Sequence, residues 1–150
     1  NYVSDCTIET DQLALIPDSY IDLTAEKIRI YKELDSLSSD KELEKMKTRM
    51  TDRFGKIPVE LERLFDIVRI RQLGKHLGFE KIIIKNGVMI ASFITNPLSQ
   101  YYRSDRFSKV LEKISQHPKL FEVKQPDGRL RIMVRNIDGI SKAYDILKML

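Results

Sequence analysis

Three arginines, Arg129, Arg131 and Arg135, share one parity along a short segment, while Leu130, Ile132 and Val134 share the other. A β-strand sends alternate side chains to opposite faces. This spacing therefore predicts one face on a core and a row of guanidinium groups on the other, joined by Lys124 from a partner strand. Such a row suits phosphate groups or an acidic protein surface, and a solvated outer sheet face has the same pattern; both readings stand. No aromatic residue interleaves the arginines, which argues against stacking on single-stranded nucleic acid. Tyr101-Tyr102-Arg103 offers rings, but its place ahead of a helix better suits a hydrophobic staple. Asp52 is the second unusual charge. It falls in the last turn of a helix, where the carbonyl end of the dipole disfavours an anion by about 0.3–1 kcal/mol. Either its carboxylate accepts N–H groups at the next helix start or pairs with a nearby arginine, or it is displayed to meet an arginine on another domain.

The remaining reactive side chains form no catalytic constellation. The six glycines are scattered and none precedes Lys-Ser/Thr at phosphate-loop spacing. His76 and His117 fall on different elements without Cys or acidic partners at metal-ligand spacing. His76 is expected to be an ordinary helix-end residue, favourable against the dipole, and His117 before Pro118 a loop residue. Cys6 is the only cysteine, which excludes an internal disulfide and a multi-thiolate zinc site and makes the cytoplasm the natural compartment. No Lys, Arg or His lies beside it in sequence to lower its pKa. No catalytic, cofactor-binding or metal-binding residues are expected.

The 150 residues suit one domain that buries about two thirds of its unfolded surface. No apolar run approaches the ~20 residues that would span a bilayer, so no membrane partner is expected. The chain does not begin with Met, which suggests a piece of something longer. The net charge of +4 is uneven. Residues 1–22 hold five acids and no Lys or Arg, whereas residues 79–150 hold 13 Lys and Arg against 7 acids. A basic half suits a polyanion, although the two ends could equally neutralise each other in the fold.

The elements that must position these groups follow from periodicity and punctuation. Residues 1–22 read as an extended, acidic arm. A first helix is expected over about 24–37 with Ile28, Tyr31, Leu34 and Leu37 on one stripe. Ser39 and Glu42 form a capping box that opens a second helix running to Phe54 on Leu43, Met46 and Met50. A third helix runs from Pro58 to about Leu77, and its wide apolar stripe makes it the central one. Asn86-Gly87 joins strands 81–85 and 88–94 as a hairpin. Pro126-Asp127-Gly128 joins 120–124 to 129–134. Helices over about 105–116 and 138–150 complete an α+β fold, a helical hairpin and central helix packed with antiparallel β-hairpins.

The join between the second and third helices is the most specific string. Gly55 fits a helix-ending left-handed residue, Pro58 fits a first turn that needs no N–H, and Phe54 plugs the junction. Asp52-Arg53-Phe54-Gly55-x-x-Pro58 resembles the C-terminal domain of the bacterial transcription-repair coupling factor. So do Ile16-Pro17-Asp18-Ser19-Tyr20-Ile21, Lys27-Ile28-Arg29-Ile30-Tyr31-Lys32 and Arg69-x-Arg71-x-Leu73-Gly74-Lys75-x-Leu77-Gly78, in the same order. The resemblance implies that residues 1–22 link to upstream motor domains and that 23–150 form one regulatory domain. It implies a longer ATP-driven, helicase-related translocase on double-stranded DNA, which displaces stalled RNA polymerase at damage and recruits the damage-recognition subunit of nucleotide excision repair. ATP and magnesium would belong to the motor, a hydrolase, and this segment would be non-catalytic. Its implied role is autoinhibition, clamping the N-terminal domain that binds the repair subunit. Asp52 matches an acidic residue of that clamp, with Arg49 and Arg53 beside it as candidate contacts. Arg49 departs from the pattern, standing where an acid is common. The alternative is a nucleic-acid-binding module that uses the Arg129, Arg131 and Arg135 face.

Overall fold

The structure, a computed structural model, describes residues 2–150. Five helices, α1 (Thr24–Ser36), α2 (Asp40–Phe54), α3 (Val59–Leu77), α4 (Asp105–Gln116) and α5 (Ile140–Leu147), accompany five strands. The strands are β1 (Thr7–Thr10), β2 (Phe79–Lys85), β3 (Val88–Phe93), β4 (Glu122–Lys124) and β5 (Arg131–Val134). The chain divides into two compact units. One holds residues up to Gln12 together with Ile70–Leu150, and the other holds Leu13–Arg69. The expected α+β class holds.

The sheet unit has strand order β1-β2-β3-β5-β4. Both expected hairpins form, and β3 pairs antiparallel with β5 to join them. Asn86 and Gly87 turn the first hairpin with φ of 54° and 73°, the left-handed pair that matches strand twist. The second is shorter than expected, with Phe121 buried ahead of β4. β1 was not anticipated: it pairs parallel to β2, Ile8 beside Ile82. Within the stretch expected to be extended, residues 7–10 thus form an edge strand of the sheet. Alternation sets the two faces. Ile82, Ile84, Met89, Ala91, Phe93, Ile132 and Val134 are buried, whereas the residues between them stay partly accessible. Val110 and Ile114 of α4 and Ile140, Ala143, Ile146 and Leu147 of α5 are also buried in this unit. Close approach is demanded at Gly74, where a Cβ would stand 2.8 Å from Cys6 Sγ and 3.1 Å from Ile82 Cδ1.

The helical unit buries Ile16, Ile21, Ile30, Leu34, Leu43, Met46, Met50, Leu61 and Phe65. α2 starts at the expected box: Ser39 Oγ accepts from the Glu42 N–H at 3.2 Å, and Glu42 reaches back to the Ser38 N–H at 2.9 Å. The α1 stripe differs from expectation. Ile30 and Leu34 are buried, while Ile28 and Tyr31 are exposed. Ile28–Tyr31 and Ile30 both lead to Leu34 and Leu37 at helical spacing, and it is Ile30 that joins Leu34 in the core, with Leu37 packed against it. Along all of α3 only Val59 and His76 are exposed, as a central helix requires.

Candidate interaction surfaces

Phe54 ends α2, and Gly55 leaves it at φ 91° with its N–H donating to Thr51 O at 2.9 Å. The carbonyls at this helix end are capped from a distance. The Tyr20 hydroxyl donates to Gly55 O at 2.8 Å and lies 3.3 Å from Met50 O, and its ring packs 5.8 Å from that of Phe54. Burial raises the Tyr20 pKa, which keeps the hydroxyl a donor. Pro58 O accepts the Leu61 and Glu62 N–H groups at 3.1 and 3.0 Å and so starts α3. The turn residues Phe54, Gly55 and Pro58 thus occupy the expected places.

The charges around this corner divide sharply. Arg49 pairs with Glu33 at 2.5 Å. Arg53 pairs with Glu26 at 2.8 Å while its guanidinium lies 4.8 Å from the Phe54 ring centroid. Both arginines are thereby tied to α1. Asp52 is exposed, and among the described residues no hydrogen bond or ion pair engages it. The local uses open to it, capping α3 or meeting a neighbouring arginine, are not made. A cleft of about 240 Å³ opens between α1 and α2, lined by Ile30, Met46, Met50 and Phe54 together with the Glu33–Arg49 and Glu26–Arg53 pairs; Asp52 is not part of its lining. Sequence reasoning missed both the Tyr20 cap and this cleft. The cap joins residues 35 positions apart and leaves no local signal.

The arginine row is less uniform than its parity suggested. Arg131 is in β5, opposite Lys124 and Ser92. Arg129 precedes the strand and Arg135 follows it. Arg135 is bound by Glu122 at 3.0 and 3.4 Å, and Lys124 lies 3.9 Å from the same carboxylate. The hydrogen bond from Arg135 holds Glu122 below the usual carboxylate pKa range. The tyrosines are not offered to a ligand as a pair. Tyr101 is fully buried and donates to Leu77 O at 2.5 Å, and the Tyr102 hydroxyl meets Ile94 O. His76 stands exposed in the last turn of α3, where desolvation and the contacting Arg106 guanidinium lower its pKa. Cys6 is buried, and that burial, aided by Asp5, pushes its thiol up to about 12. Among the described residues no group of three or more His, Cys, Asp and Glu side chains could hold a metal, and no helix is long and apolar enough to cross a membrane.

The sequence model of the TRCF domain matches residues 10–104, a span that contains the helix corner and all four strings quoted above. The chain belongs to the TRCF domain family. Transcription-repair-coupling factor of Rickettsia prowazekii is 32% identical over 123 residues, covering 82% of this chain and 10% of that protein. The protein of the same name from Staphylococcus epidermidis is 33% identical over 133 residues, covering 88% and 10%. The chain thus spans about a tenth of these curated relatives. A crystal structure of the C-terminal domain of a transcription-repair coupling factor superposes with TM-score 0.74 at 15% identity, covering 97% of this chain and 88% of that one, which supports the fold. The TRCF-matched span ends before β4 and β5, so Lys124, Arg129, Arg131 and Arg135 lie outside it.

Proposed function

We propose that this domain is a non-catalytic regulatory module of a transcription-repair coupling factor. It docks through the corner at Asp52 against the domain that binds the damage-recognition subunit of excision repair, and masks that subunit's binding surface. The observation that carries the reading is the exposed, unpartnered Asp52 at the C-terminus of α2. An anion there is locally unfavourable, and an arginine on the docked surface gives it a charge-assisted hydrogen bond. The Tyr20 cap and the Arg49 and Arg53 ion pairs hold the corner in one geometry, so little side-chain freedom remains to be lost on docking. The α1–α2 cleft accepts an apolar side chain from the same surface.

On this reading ATP, magnesium and duplex DNA are handled by a motor elsewhere in the longer protein, and RNA polymerase is met by the whole protein rather than by this domain. The test compares capture of the damage-recognition subunit by the intact protein with and without Asp52→Ala. Greater capture by the variant, with an unaltered melting temperature of the 150-residue domain, is expected. Unchanged capture together with a large drop in melting temperature would reduce Asp52 to a structural role.

A further inference from the structure

The sheet face away from the core carries a pattern that the helix corner does not explain. Pairing register aligns its residues into rows that cross the strands. One row reads Glu9, Ile83, Ile90, Met133 and Glu122. The adjacent row reads Thr7, Lys81, Ser92, Arg131 and Lys124. On the opposite side stand Lys85, paired with Val88, and Arg135 beyond the end of β5. An apolar strip three strands wide, closed at each end by a carboxylate, therefore lies between two cationic rows. Ile83, Ile90 and Met133 are only partly buried, whereas their neighbours Ile82, Ile84, Met89, Ala91, Ile132 and Val134 are fully buried.

The charge on this face does not cancel. Glu9 meets Lys81 at 3.0 Å and Lys85 at 3.6 Å, and Glu122 meets Arg135 at 3.0 Å and Lys124 at 3.9 Å. Two carboxylates thus serve four cations. Among the described residues no ion pair engages Arg131, and its buried Nε has no hydrogen-bond partner.

We propose that this face docks an acidic amphipathic helix of a partner protein. Strands about 4.8 Å apart make the apolar strip about 10 Å long, which two helical turns of about 11 Å match. Apolar side chains at i, i+4 and i+7 of the partner meet Ile83, Ile90 and Met133. The cationic rows lie two residues to either side, about 7 Å away, within reach of carboxylates on the flanks of a helix 10–12 Å across. A nucleic acid fits less well: its phosphates gain nothing from the strip, and Glu9 and Glu122 oppose a continuous anionic track. This inference is independent of the Asp52 docking reading, because it concerns other residues and another occupant.

The probe is a synthetic helix of about 18 residues, long enough to be helical, with leucines at i, i+4 and i+7 spacing and glutamates on both flanks. It is titrated into the isotope-labelled 150-residue chain, with a same-composition scrambled peptide and a duplex of about 20 base pairs as comparisons. Saturable binding of the helix is expected, with amide shifts centred on Lys81–Lys85, Val88–Ser92 and Arg131–Met133. Ile83→Thr with Ile90→Thr, which keeps strand-favouring residues, should weaken it at least tenfold, and so should Arg131→Glu. Shifts centred elsewhere, or equal binding of the scrambled peptide or the duplex, would overturn the proposal. The shift map needs no variant, so a poorly folding substitution leaves the test intact.

Discussion

At the scale of single residues, the corner is held by groups whose roles differ in how visible they are. Gly55 and Phe54 are legible in sequence, because a left-handed helix exit favours glycine and an apolar plug must follow the helix stripe. The Tyr20 cap is not, since a hydroxyl arriving from another segment carries no periodic signature. Tyr20→Phe removes its bond to Gly55 O, and we expect a loss of about 1 kcal/mol, read as a lower urea midpoint. An unchanged midpoint would mean that water replaces the hydroxyl without cost. Gly78 is more constrained. Its φ is 102°, and a Cβ would stand 2.1 Å from the buried Tyr101 ring, whose hydroxyl is fixed on Leu77 O. Gly78→Ala is expected to cost more than about 3 kcal/mol, because ring displacement adds to backbone strain. A thermal melt within a few degrees of wild type would contradict that packing.

At the scale of elements, helices were easier to read than strands that pair across long separations. α2 and α4 fall where Ser39 and Ser104 place them, each serine accepting the N–H three residues on at 3.2 Å. Ser104→Ala should destabilise by about 1–2 kcal/mol, since Ser104 also donates to Tyr101 O at 2.5 Å. Proteolysis or hydrogen exchange concentrated at the start of α4 would report it, and protection equal to wild type would argue against the cap. β1 stayed invisible because four residues without turn signals cannot announce a parallel partner more than seventy positions away. The α1 stripe was misjudged because a short helix with two apolar rows does not itself say which faces the core. The two assignments separate by mutation. Ile30→Ala should cost about 2–4 kcal/mol as a buried side chain, whereas Ile28→Ala, half exposed, should cost under about 1 kcal/mol. Equal urea-midpoint shifts would restore the original stripe.

At the scale of the whole molecule, its two compact units carry different kinds of surface. The helical unit presents the unpaired Asp52 at a rigid corner. The sheet unit presents a cationic face interrupted by an apolar strip. The sequence revealed the cations but not Glu122 and Glu9 among them, because register decides which charges become neighbours. Buried acids set the pH response. Cys6 is raised from 9.0 to about 12 in the fold, so the unfolded chain loses that proton first. Its contribution is complete below about pH 9 and disappears as pH climbs toward 12. Tyr101 and Tyr102, raised by burial, act in the same direction. Glu9 is lowered chiefly by its hydrogen bond with Lys81 and Glu122 by that with Arg135, so their contributions hold above about pH 4.5 and fade as pH falls. Melting temperature should therefore form a plateau between these limits with an alkaline decline, and a flat profile to pH 11 would contradict the burial of Cys6. The central claim, docking through Asp52, is tested most directly by calorimetric titration of the 150-residue chain into the isolated repair-subunit-binding domain of the same longer protein. The account predicts saturable binding that Asp52→Ala weakens by about 1–3 kcal/mol, the worth of one charge-assisted hydrogen bond. No binding by the wild-type chain, or equal affinity of the two chains, would contradict it.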